Sequence, residues 1–127
     1  MLLGMFPGGA AAAAQADYSG HYEMISPKAA RTFLLDVKQT GSRADVSFSA
    51  AMADGSGASP EGVGKGRVED GILSFEFKDN FNNEGTCTFE SRPDGYRLSM
   101  TIIKVVAPGP FHFYGTVLLK KIPDKPR

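Results

Sequence analysis

An all-β fold, an eight-stranded antiparallel up-and-down barrel, is predicted by three observations: hydrophobic alternation of period two, Gly-containing tight turns between the alternating runs, and almost no helical period. In the clearest runs, Phe33, Leu35 and Val37 alternate with Leu34, Asp36 and Lys38. Val46, Phe48 and Ala50 alternate with Asp45, Ser47 and Ser49, and Leu73, Phe75 and Phe77 with Ser74, Glu76 and Lys78. The same pattern predicts strands at 18–25, 32–39, 44–51, 64–69, 72–78, 85–91, 96–105 and 111–120. Cys87, Phe89, Leu98, Met100, Ile102, Phe111, Phe113, Val117 and Leu119 fall on the inward phase. The one helical candidate, residues 27–31, is at most a turn. Consecutive short strands leave two exposed edges unless the sheet closes, so a barrel is preferred to the alternative, a two-sheet β-sandwich.

The connections set the two ends apart. Residues 40–43, 70–71 and 92–95 are tight turns, whereas 26–31, 52–63, 79–84 and 106–110 are mostly longer and carry little apolar alternation. In a meander every second connection lies at the same end. The longer loops therefore gather at one mouth, where binding residues are expected.

With 127 residues, 14 Lys plus Arg against 14 Asp plus Glu, and 42% hydrophobic residues, the chain fits a single domain. Zero net charge gives it no electrostatic grip on nucleic acid. Residues 1–16 contain five consecutive alanines and end Ala14-Gln15-Ala16, the small-x-small pattern of a secretory cleavage site. They are too short and too broken by Pro7, Gly8 and Gly9 to span a membrane. The predicted organisation is a leader or flexible Ala-rich N-terminus at 1–16, one barrel domain at 17–122 and a tail at 123–127, with a periplasmic or secreted location. The single cysteine, Cys87, has the parity of a barrel interior and no partner for an internal disulfide.

The first strand carries Gly20-His21-Tyr22, which resembles the Gly-x-Trp opening strand of lipocalin-type barrels, and eight meandering strands are similar to that architecture. The resemblance implies a lipocalin-like barrel with a ligand mouth. It departs from the family in having Tyr where Trp is usual and no helix after the last strand, and it assigns no site residue.

Motifs for catalysis fail on spacing. Residues 62–66, Gly-Val-Gly-Lys-Gly, lack the Ser or Thr and the leading Gly of a phosphate loop, and read instead as permissive backbone of a hairpin loop. Residues 79–85 offer oxygen ligands, but Phe81 breaks the calcium-loop order and Asn, Asp and Gly also suit an ordinary turn. His21 and His112 fall on the outward phase of the first and last predicted strands, without a third metal ligand. Glu76 and Glu90 point outward, and no Ser or Cys nucleophile has a partner motif. No catalytic residue, cofactor or metal is predicted. Outward Leu34, Ile103, Tyr114 and Leu118 suggest an apolar patch for a partner or a second copy.

The expected function is non-enzymatic binding of a small apolar or amphipathic ligand at the long-loop end, by a monomer or weak homodimer. The alternative is a protein-binding inhibitor or immunity factor for a cell-envelope hydrolase. Candidate binding residues are Lys28, Arg31, Asp79, Asn80, Phe81, Asn82, Asn83 and Phe111, of which Phe81 is the sharpest, an aromatic ring in a polar loop. Interior volume separates the two readings. A cavity above about 300 Å³ favours a ligand and a filled core favours a partner.

Overall fold

The computed structural model describes residues 16–25, 31–52 and 54–123, except the side chain of His112. Its strands are β1 (Gly20–Met24), β2 (Arg31–Thr40), β3 (Arg43–Met52), β4 (Glu61–Glu69), β5 (Ile72–Asp79), β6 (Glu84–Arg92), β7 (Gly95–Lys104) and β8 (Thr116–Ile122). Each pairs antiparallel with the next, and β1 pairs with β8, so the sheet closes into an eight-stranded up-and-down barrel. The predicted fold class stands. The leader lies outside the described residues apart from Ala16, and so do Lys28 and most of the predicted helical turn.

The tight turns behave as their residues dictate. Asp70 and Gly71 have φ values of 54° and 80°, the left-handed pair that a two-residue hairpin with the right twist requires. Below this end the segment before β1 forms a plug. Tyr18, expected to open the first strand, lies outside it: its hydroxyl donates to Gly71 C=O at 2.6 Å and accepts from Ser91 N–H at 3.2 Å. Gln39 fastens the same segment, accepting from Tyr18 N–H at 2.8 Å and donating to Ala16 C=O at 2.8 Å.

Two other predicted boundaries are corrected. β4 begins at Glu61, three residues before the predicted start at 64, so all of residues 62–66 are strand and the predicted loop at 52–63 is shorter. Gly62, Gly64 and Gly66 occupy its inward positions, with Phe48, Val46 and Ala44 opposite on β3. A Cβ at Gly64 would collide with Glu76 C=O and one at Gly66 with Ser74 C=O, so the backbone approaches its neighbour more closely than any side chain allows. Alternate glycines thus bend the strand around the barrel, and because Gly62 is not apolar the hydrophobic pattern missed the strand's first three residues.

The second correction concerns residues 111–120. Gly109–Phe113 is a 3-10 helix, and the last strand starts at Thr116. Pro108 and Pro110 fix φ and remove two amide donors, which stops a ladder from starting there. Phe113 is still buried, whereas Phe111 is only half-buried.

Side chains fill the interior from both ends. Near the tight turns, Tyr22 meets Phe89 at 4.8 Å and Tyr96 at 4.9 Å, and Phe89 stacks on Tyr96 at 5.6 Å between centroids. Toward the long loops, Phe33 stacks on Phe48 at 5.4 Å, and Phe48 meets Phe77 edge-on at 5.2 Å. Leu35, Leu73, Leu98 and Leu119 lie fully buried among the rings, Leu73 and Leu98 directly opposite Phe89. Each such side chain contributes about 1.5–3 kcal/mol by leaving water, and each ring pair roughly 0.5–1.5 kcal/mol more.

Candidate functional site

The odd-numbered connections gather at one end, as the meander requires, and the loop between β5 and β6 organises them. Asp79 closes β5 with its carboxylate turned back over the loop. Its Oδ1 accepts from Phe81 N–H at 2.8 Å and Asn83 N–H at 2.9 Å, and Asn82 takes φ 66°, a conformation Asn tolerates. This is how Asx-type turns are built, with a side chain standing in for a backbone acceptor.

Asn83 then reaches across to the connection between β7 and β8. Its Oδ1 accepts from Val106 N–H at 2.8 Å and Ala107 N–H at 2.9 Å. Its Nδ2 donates to Ala107 C=O at 2.7 Å and to Asp79 Oδ2 at 3.0 Å. Tyr114, just after the 3-10 helix, donates its hydroxyl to the same Oδ2 at 2.7 Å while its ring packs on Phe48 and Phe77. Burial, reinforced by the bond to Asp79, pushes the Tyr114 phenol well above its ordinary range. Asn80 ties the third loop: its Oδ1 accepts from Glu61 N–H at 2.8 Å. Two connections are thereby clasped through the buried polar residues Asp79 and Asn83, and the exposed Asn80 ties in a third.

The predicted site residues therefore divide. Asp79 and Asn83 are internal braces with every polar atom satisfied. Asn80 and Asn82 are exposed, and Phe81 is half-buried on the loop they brace. Arg31 lies at the start of β2 beside Phe33, Phe113 and Tyr114, lining a hollow of 160 Å³ at the mouth. Phe111, on the 3-10 helix, approaches Tyr114 at 6.3 Å between ring centroids. Tyr114 points inward, against the expectation of an outward ring. Leu118 is half-buried, and Leu34 and Ile103 are exposed as expected.

What the strand pattern missed is the segment after β7, where Val105 and Val106, exposed by 60% and 54%, extend the apolar surface of Ile103 at the end of that strand onto the clasped loop. The ladder between β6 and β7 shifts register at Glu84 and Gly85, which leaves Ile103 as the extra residue of a bulge. A signal was present: residues 102–107 are apolar but for Lys104, too continuous a run for a half-buried strand.

His21 has Ile122 opposite it across β1 and β8, not residue 112, and its Nδ1 engages the Asp36 carboxylate on the outer wall. Cys87 is buried, and burial pushes its thiol up to about 12. Among the described residues no three His, Cys, Asp or Glu side chains converge as metal ligands, and no helix is long and apolar enough to cross a membrane.

Fold and site together define a closed antiparallel β-barrel with a filled interior and a braced loop end. The chain matches no protein-family model, no curated protein and no solved structure.

Proposed function

We propose that this chain is an exported, non-enzymatic binding protein whose long-loop end docks on a protein partner, as an inhibitor or immunity factor for a cell-envelope hydrolase would. One observation carries the reading. Asn83 bonds both amides of Val106 and Ala107, so the main chain is held rigid while the Val105 and Val106 side chains stand in solvent. Apolar side chains on a pre-ordered loop bind at low entropic cost, and such patches on a small protein mark contact surfaces. The Ala-rich leader supports export, because it places the small-x-small pattern just before the first charged residue.

A small apolar ligand, the role suggested by the likeness to lipocalin-type barrels, comes second. Ring layers fill the barrel, and the 160 Å³ hollow at the mouth is below the roughly 300 Å³ at which ligand pockets begin.

The test is capture from a cell-envelope extract by the immobilised protein, with mass-spectrometric identification and a measured affinity for the purified partner. Val106→Asp should cost on the order of 2 kcal/mol of affinity, the size of an interface anchor, at unchanged thermal stability. Asp94→Ala at the opposite end should bind normally. Loss of binding by Asp94→Ala with retention by Val106→Asp and Phe81→Ala would put the contact surface elsewhere.

A further inference from the structure

On the outer wall, away from the clasped loops, an open groove of about 900 Å³ runs across β2 to β7. Register sets its floor. Arg43 stands opposite Arg67, Arg67 opposite Ser74, Ser74 opposite Thr88, and Thr88 opposite Ser99. Neighbouring strands are about 4.8 Å apart, so two guanidinium positions lead into three hydroxyls in one line.

Charge decides what this row can hold. Like charges directly opposite in an antiparallel pair are unfavourable, and neither Arg43 nor Arg67 has an ion-pair partner among the described residues. One step along the same strands, by contrast, Lys65 Nζ meets Asp45 Oδ1 at 3.0 Å. The two guanidiniums are thus a short cationic strip that no ion pair occupies, in a groove that Lys38, Asp45, Lys65, Glu69 and Glu76 also line. Glu69 and Glu76 bound the strip, so it offers room for one or two anionic groups and not for the continuous phosphate track of a nucleic acid. A short ligand that carries a carboxylate among hydroxyls matches a strip of that length. Its carboxylate can take two parallel bonds from a guanidinium, and its hydroxyls can exchange hydrogen bonds with Ser, Thr and Glu side chains.

We propose that this groove binds a uronate-bearing oligosaccharide, with a carboxylate seated between Arg43 and Arg67 and the sugar hydroxyls along Ser74, Thr88 and Ser99. The site is independent of the partner-docking end. It is tested by NMR titration at low salt with a short oligogalacturonate, the neutral galactose oligomer and acetate. The oligogalacturonate should shift the amides of Arg67, Ser74, Thr88 and Ser99, and the two controls should act only at much higher concentration. Arg67→Gln and Arg43→Gln should each weaken binding at least about tenfold, the effect of one charge-assisted hydrogen bond, while Val106→Asp leaves it unchanged. Both arginines are exposed, so an unchanged thermal midpoint verifies that the variants fold. Equal shifts with acetate would reduce the groove to an adventitious anion contact and overturn the proposal. So would oligogalacturonate binding indifferent to both arginine substitutions, or none at millimolar concentration.

Discussion

Asn83→Ala isolates the clasp. The side chain is fully buried and makes four hydrogen bonds, two through Oδ1 and two through Nδ2. Truncation to Ala leaves the amides of Val106 and Ala107, the Ala107 carbonyl and one bond to Asp79 Oδ2 without that partner. An unsatisfied buried group costs about 1–3 kcal/mol, but the loop partners are part-buried and water can reach some of them, so the expected loss is about 3–4 kcal/mol. That is a large share of the roughly 5–15 kcal/mol that holds a domain folded. The assay is urea denaturation together with amide hydrogen exchange at Val106 and Ala107, whose protection should fall further than that of β3 amides. Asn83→Asp adds a sign. The new carboxyl replaces the donor facing Asp79 Oδ2, so one carboxyl of the pair is held protonated to higher pH in the folded state than in the unfolded chain. Its stabilising contribution is then present below the ordinary carboxylate range near 4 and lost as pH rises, so the variant's deficit should be larger at pH 7 than at pH 4. A loss below about 1 kcal/mol for Asn83→Ala with exchange at Val106 and Ala107 unaltered would refute the clasp, since buried unpaired groups could not cost so little.

The other expectations concern the core and the bend. Phe75→Ala should cost about 3–5 kcal/mol in urea, the range for deleting a buried ring, whereas Glu76→Ala on the outward phase should stay within about 0.5 kcal/mol. Gly64→Ala should destabilise by about 1–3 kcal/mol or more, because the added methyl meets the backbone carbonyl of Glu76, which cannot rotate away; a neutral thermal shift would contradict the bend. Native Cys87 should label with a thiol reagent only as fast as the barrel opens, because burial both shields the sulfur and disfavours the thiolate. Tyr22 and Tyr114 have phenols raised above their ordinary value near 10, so their contribution is complete below that pH and declines above it. Phenolate absorbance should accordingly show part of the tyrosine titrating only together with alkaline unfolding.

Legibility in the sequence followed chemistry that acts over two residues. Strand parity was readable wherever apolar and polar side chains alternate, because the pleat sends successive side chains to opposite faces. Phe75 in and Glu76 out, and Cys87 in step with Phe89, needed nothing else. The ends of the barrel were readable too, since Asp70-Gly71 announces a two-residue turn and connection parity does the rest. The candidate site was half readable: the loop at 79–83 stood out by composition, but composition does not distinguish a brace from a binding group. Asp79 and Asn83 became braces only when Tyr114 and the Val106 and Ala107 amides, remote in the chain, were brought to them.

By itself, then, the sequence determined the fold class, the inward and outward residues of most strands and the end at which the loops gather. Each of these rests on local periodicity and turn stereochemistry. Tertiary structure alone decided that the strand predicted at 64–69 starts at Glu61 and bends at its alternate glycines, that Tyr18 plugs the tight-turn end, and that Val105 and Val106 stand exposed on a clasped loop. The physical reason is common to all three. A glycine marks a bend only when a neighbouring backbone presses against it, as at Gly64 and Gly66, a tyrosine is a plug only when a carbonyl 53 residues away accepts its proton, and an apolar loop is a surface only when buried polar groups hold its main chain in place.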